Sequence, residues 1–281
     1  MVTRRNFIAN AAATTAALMA FPQLANSLPR KRLKNFGYIT GIIGKELEGD
    51  WKSVLKKTAE MGYTEIETGK YLGDSATAFL SYCREIGLKP VVGGIGFTTD
   101  KDELQKQIDA LLQLEMKYAV NYWPWTTDKP FKLEQCKKSA EMLNIIGEQC
   151  KKNGLTFCWH NHDNEFIAME EGLPFDWLMG HTDPQLVKCE MDIYWVAKGG
   201  ADPLATLKQY SGRIPILHVK DMAPGTQQDF ACPGDGTIDF ASIFDEASKQ
   251  GIEHYFVERD NVPDGMACLQ SAAQYLQQLT F

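Results

Sequence analysis

Residues 155–163 read LTFCWHNHD, an apolar β-rich run from Leu155 to Trp159 that stops abruptly on His160-Asn161-His162-Asp163. A strand buried on both faces that turns polar only at its end is what a parallel sheet shows where its strands leave the core. The shape recurs three times downstream, in 186–192 (LVKCEMD), in 214–219 (IPILHV) running into Lys220-Asp221, and in 253–258 (EHYFVE) running into Arg259-Asp260. Four more apolar segments lie upstream, at 36–43 (FGYITGII), 63–68 (YTEIET), 89–95 (KPVVGGI) and 117–123 (KYAVNYW). Between them run stretches of helical period such as 51–61, 101–115, 132–153 and 240–250, several ending on a glycine suited to a left-handed helix stop: Gly62, Gly87, Gly154 and Gly251. Eight strands alternating with helices, with no Gly-rich nucleotide loop after the first, predict a single (β/α)8 TIM barrel of the α/β class rather than an open doubly wound sheet.

In such a barrel the strand ends converge on one mouth. His160, Asp192, His218 and Glu258 close strands five to eight and therefore meet there. One such residue alone reads as an ordinary hydrogen-bonded group, as expected for His181 and His254, but four in succession point to a metal site. Two imidazoles and two carboxylates with open positions suit one divalent ion, Mn²⁺, Zn²⁺, Co²⁺ or Fe²⁺, better than Mg²⁺ or Ca²⁺, which prefer oxygen throughout.

Composition agrees with one globular domain: 44% hydrophobic, 23% charged, net charge −7. An acidic chain lacks the basic footprint of nucleic-acid binding. The first 27 residues open on Arg4-Arg5, continue in an Ala-rich apolar run and end on Ala25-Asn26-Ser27. They read as a twin-arginine-type signal peptide, implying export, to the periplasm, of a domain spanning 28–281. The apolar run is too short for a membrane span, so the mature form is expected to have no membrane partner. The seven cysteines are irregularly spaced without a C-x-x-C pair, and are read as small buried hydrophobes rather than a disulfide framework.

The segments WHNHDNEF (159–166), EMDIYW (190–195), HVKD (218–221), GDGTIDF (234–240) and YFVE (255–258) resemble the sugar phosphate isomerase/epimerase superfamily of xylose isomerase-like barrels, over essentially the whole mature chain. The resemblance implies His160, Asp192, His218 and Glu258 as ligands. It also carries a departure. The epimerases usually place a Glu on strand five, opposing the Glu of strand eight as a second base, whereas His160 stands here, as in a subgroup with a Y-H-N-H-like motif.

A divalent ion ligating a carbonyl and a neighbouring hydroxyl acidifies the C–H between them, the chemistry shared by isomerases, epimerases and dehydratases. Glu258 is the expected metal-bound proton carrier. His162 is a candidate second acid/base, or else only orients a loop. Lys220 either stabilises an oxyanion or pairs with Asp221. Glu67, Glu165, Trp123 and Trp195 are candidate substrate contacts, with Trp125 a further strand-end aromatic. Without a phosphate site, the expected substrate is a neutral small-molecule carbohydrate, and a homo-oligomer stays open. An isomerase or epimerase of a free sugar or keto-sugar is expected first. The alternatives are a lyase or dehydratase acting on a 3-keto-glycoside or inosose-like substrate, and a non-catalytic sugar-binding barrel.

Overall fold

A computed structural model describes residues 31–127, 129 and 131–281, of which Arg32–Leu279 form one compact unit. The leader read at 1–27 lies outside the described residues. The barrel strands are β1 (Gly37–Ile39), β2 (Glu65–Glu67), β3 (Lys89–Gly94), β4 (Tyr118–Asn121), β5 (Thr156–His160), β6 (Val187–Asp192), β7 (Ile216–Val219) and β8 (His254–Val257). All pair in parallel with their chain neighbours, and the ring closes where β8 meets β1, Phe256 opposite Gly37.

The helices outside the ring are α1 (Trp51–Glu60), α2 (Ala76–Ile86), α3 (Lys101–Gln113), α4 (Leu133–Lys152), α5 (Pro174–His181), α6 (Ile193–Lys198), α7 (Pro203–Gln209), α8 (Phe240–Lys249) and α9 (Gly265–Gln278). Their starts are fixed by side-chain caps: Asp50, Ser75, Asp100, Asp239 and Asp264 each accept the backbone N–H three residues on. Their ends use the predicted glycines, as at Gly87 (φ 78°) and Gly154 (φ 82°). Among the described residues no helix is long and apolar enough to cross a membrane.

The first strand is shorter than its apolar run. Residues 40–43 form a 3-10 turn, because β2 offers only three partners, Glu65 to Glu67, and nothing remains for Thr40 onward to pair with. Sequence reading also missed a small antiparallel hairpin, Asp221–Met222 with Phe230–Ala231, on the loop after β7.

Two apolar layers build the core. The larger lies between strands and helices. The smaller fills the barrel with Val91, Val92, Tyr118, Val120, Cys158, Ile216 and Phe256. Three of these sit two residues before His160, His218 and Glu258. Since strand side chains alternate, the polar residues share their inward direction and form the next layer up. The barrel is therefore plugged beneath the site and open above it.

The cysteine expectation needs correction. Five are free and buried, as read, but Cys232 and Cys268 form a disulfide, with Cα atoms 5.6 Å apart and a sequence separation of 36. The partners lie on a loop and a helix with no shared motif, so only folding brings them together. Closing a loop of this size restricts the unfolded chain by about 4 kcal/mol. Cys232→Ser is accordingly expected to lower unfolding free energy by that order in urea titrations, and reductant should add little further loss in the variant.

Candidate functional site

One donor atom from each of His160, Asp192, His218 and Glu258 lies within 4.8 Å of the others, at the C-terminal mouth. The set predicted from four separate strand ends is thus one cluster. His160 Nε2 is 3.6 Å from Asp192 Oδ2, and His218 Nδ1 is 2.7 Å from Glu258 Oε2. Asp192 divides its work: Oδ1 accepts the Trp195 N–H at 3.0 Å and caps α6, while buried Oδ2 has no hydrogen-bond donor. The Lys220 ammonium is 3.0 Å from that oxygen but not aligned to donate to it.

Behind these four stand two carboxylates that orient the imidazoles. Glu190, two residues before Asp192 on the same strand, holds His160 Nδ1 at 3.0 Å, leaving Nε2 free. Glu67 holds His218 Nε2 at 2.8 Å, leaving Nδ1 to face Glu258, and accepts a hydrogen bond from the Tyr122 hydroxyl. A carboxylate behind a ligating histidine fixes its ring and tautomer. Asn161 clamps the neighbouring strand, its Oδ1 accepting the Asp192 N–H at 3.0 Å.

The electrostatics follow from burial. Burial, reinforced by His218, holds His160 well below the ordinary histidine range and so keeps it neutral. Burial and then Glu67 push Glu190 up to about 8, and burial raises Asp192 to about 6 against the pull of Lys220. For Glu258, burial is outweighed by Lys220 and His218, and the carboxyl sits well below its usual value. Three fully buried carboxylates (Glu67, Glu190, Asp192) and the partly exposed Glu258 face one ammonium, Lys220, and the imidazole of His218, which they hold well above its ordinary range against the effect of burial. An excess of negative charge at that depth is costly unless a cation or protons compensate it. The orphaned Asp192 oxygen, His160 Nε2 and the facing pair of His218 Nδ1 and Glu258 Oε2 fit a divalent metal, which would stand in for the proton that pair now shares. Glu190→Ala, which removes the support behind His160, is expected to weaken metal binding roughly 10–100-fold, measured by competition with a chelator.

Around the cluster the mouth is aromatic. His162 packs between Trp123 and Trp195, ring centroids 5.4 and 5.5 Å away, with Nδ1 buried and unpartnered. Burial, then Lys220, lowers its pKa to about 4. Trp123 is exposed and Trp125 is buried, stacked on Phe131 at 3.7 Å. Lys220 does not pair with Asp221. It contacts Asp192, Glu258 and Asp260, the last at 2.6 Å, and lies 5.2 Å from the Trp195 ring centre. Asp221 instead accepts backbone N–H groups from Met222, Gly234, Gly236 and Ile238. A Cβ on Gly236 would meet its oxygen at 2.3 Å, so the GDG turn wraps a carboxylate of its own chain.

Glu165 is fully buried, accepting from Trp125 Nε1 and from the His162 N–H at 2.8 Å, and it braces the loop that carries His162. Glu67 is likewise fully buried, with both oxygens engaged inside the protein. His181 stacks on Trp177, and His254 pairs with Glu65 at 2.9 Å below the apolar plug. Sequence reading missed Glu190, Tyr122, Asn161 and Asp260. Glu190 had a legible signal, since a charged residue two before Asp192 in a buried strand must share its inward face.

A family model of the xylose isomerase-like TIM barrel matches residues 55–279. An inosose dehydratase of Clostridium perfringens is 27% identical over 255 residues, covering 81% of this chain and 80% of its own. A sugar phosphate isomerase/epimerase structure from Parabacteroides distasonis superposes with a TM-score of 0.73 at 24% identity, covering 90% of this chain and 95% of the other. The IOLI protein, solved with a bound zinc atom, superposes with a TM-score of 0.68 at 18% identity, covering 85% and 95%. The inosose dehydratase relative and the acid–base groups gathered around one cluster make the chain an enzyme, and the solved structures share its fold. It belongs to the xylose isomerase-like TIM barrel family.

Proposed function

We propose that the enzyme is a metal-dependent lyase that eliminates water, or another group β to a carbonyl, from a non-phosphorylated keto-sugar or keto-cyclitol of the inosose kind. The observation that carries this reading is the inequality of the carboxylates. The Glu258 side chain is 18% exposed, whereas those of Glu67, Glu190 and Asp192 are at 0%. Strand five ends on His160, a poor base once its lone pair is engaged. One open base suits elimination, while epimerisation through both faces needs two. The expectation of an isomerase or epimerase gives way for that reason, and the inosose dehydratase relative supports the change.

When bound, the divalent ion supplies Lewis acidity beside the carbonyl. Glu258, kept ionised by Lys220 and His218, takes the proton from the neighbouring carbon. That electron pair becomes a carbon–carbon double bond, the bond to the β oxygen breaks, and the oxygen leaves as water with a proton delivered through His162. Trp123 and Trp195 lie where they can stack on the apolar face of the ring.

Incubating metal-loaded enzyme with an inosose in D₂O and following it by NMR tests the reading. The expected result is loss of water and an unsaturated or diketo product. Recovery of the starting skeleton with one inverted centre would overturn it.

A further inference from the structure

Glu165 lies in a short 3-10 turn, Asp163–Phe166, that follows directly on His162, and its side chain is fully buried. Its two oxygens join two segments of the mouth. Oε1 accepts the Trp125 indole N–H from the loop after β4, and Oε2 reaches back to accept the His162 backbone N–H at 2.8 Å. The same loop carries Trp123, whose ring centre is 5.4 Å from that of His162, and Trp125 is itself stacked on Phe131 at 3.7 Å. The imidazole has no polar anchor at Nδ1, which is buried and without a hydrogen-bond partner. Backbone and ring contacts therefore place it. Glu165 holds the backbone directly, and holds one of those rings, Trp123, through Trp125.

Both bonds ask for an ionised carboxylate. A protonated carboxyl keeps one good acceptor and carries an O–H where the second N–H must be met, so one of the two bonds is lost. Burial pushes the Glu165 carboxyl up to about 7, against the pull of the Trp125 and His162 bonds. The titratable groups facing it are Asp163 on its own turn, Cys136 of α4 and Cys189 of β6, and burial keeps both thiols uncharged. None of the three is a cation, so the charge on Glu165 rests on its two donors.

We propose that Glu165 is a positioning residue for the elimination, its carboxylate holding His162 where a proton reaches the leaving oxygen. The inference rests on the lyase reading, in which His162 delivers that proton. Turnover then depends on the charge of a residue buried away from the substrate. As pH falls through about 7, Glu165 takes up a proton, one bond goes, and His162 loses its placement.

With 2-keto-myo-inositol and metal-loaded wild type, kcat is expected to fall about tenfold per pH unit on the acid side of that midpoint. Glu165→Gln has a single acceptor oxygen and turns an amide N–H toward a donor. Its kcat on the plateau should drop roughly tenfold or more, and the acid limb should vanish. Trp125→Phe removes one donor that holds the carboxyl down, so its limb should move to higher pH. A limb that survives in Glu165→Gln, or stays in place in Trp125→Phe, overturns the proposal. NMR of the indole N–H signals reads the same contacts without turnover. The signal that Trp125→Phe deletes should titrate in wild type with a midpoint of about 7, and the Trp123 signal should shift in Glu165→Gln. A Trp125 signal indifferent to pH, or a Trp123 signal indifferent to Glu165→Gln, also overturns it. Signals that behave as expected while the ketone is not eliminated sink the lyase reading and leave Glu165 as the residue that places His162.

Discussion

Glu258→Gln is expected to lower turnover by roughly 10²–10⁴-fold, the usual contribution of a positioned base, while the protein stays folded and retains part of its metal. The amide keeps one oxygen at the cluster but cannot take up a proton. It also removes the charge that Lys220 meets at 3.1 Å and His218 at 2.7 Å, so both lose a partner as well as the base. Lys220 keeps Asp192 and Asp260, and the site survives. Steady-state kinetics together with elemental analysis separate the two effects. A variant that keeps half the wild-type rate would move the base elsewhere, to His162, Lys220 or Glu165.

The second large effect concerns Asp192. Asp192→Ala removes a ligand oxygen, and metal affinity is expected to fall by more than the ~10–100-fold typical of a supporting residue. Stability should change little by comparison. The variant loses the cap on Trp195 N–H, worth about 1 kcal/mol, but deletes a carboxylate that burial already disfavours. Elemental analysis after loading should therefore show little retained metal, while circular dichroism shows the wild-type barrel. Unfolding of the variant would instead mark Asp192 as a structural group.

The barrel was legible because most of its strands are apolar runs, and the change of character at the ends of the last four also marked His160, Asp192, His218 and Glu258. Whatever depends on pairing between remote segments was not legible. Glu67 sits 151 residues from the imidazole it orients, and Cys232 and Cys268 share no spacing that announces their bond. Lys220 shows the limit most clearly. Its sequence neighbour Asp221 looked like its partner, but alternation along the chain turns the two apart, and the ammonium finds three carboxylates instead, one at the end of strand six and two just beyond strand eight.

Closure of the ring has a consequence for how activity arises. The four candidate ligands come from the last four strands, and Glu258 follows directly on the strand that seals the barrel against Gly37, where Phe256 leaves no room for a Cβ. A nascent or partly folded chain that has not docked this strand holds at most three of the four donors. Because metal affinity depends on a complete, preorganised set, uptake of an ion at this cluster would act as a checkpoint on assembly, favouring molecules in which the last seam is closed.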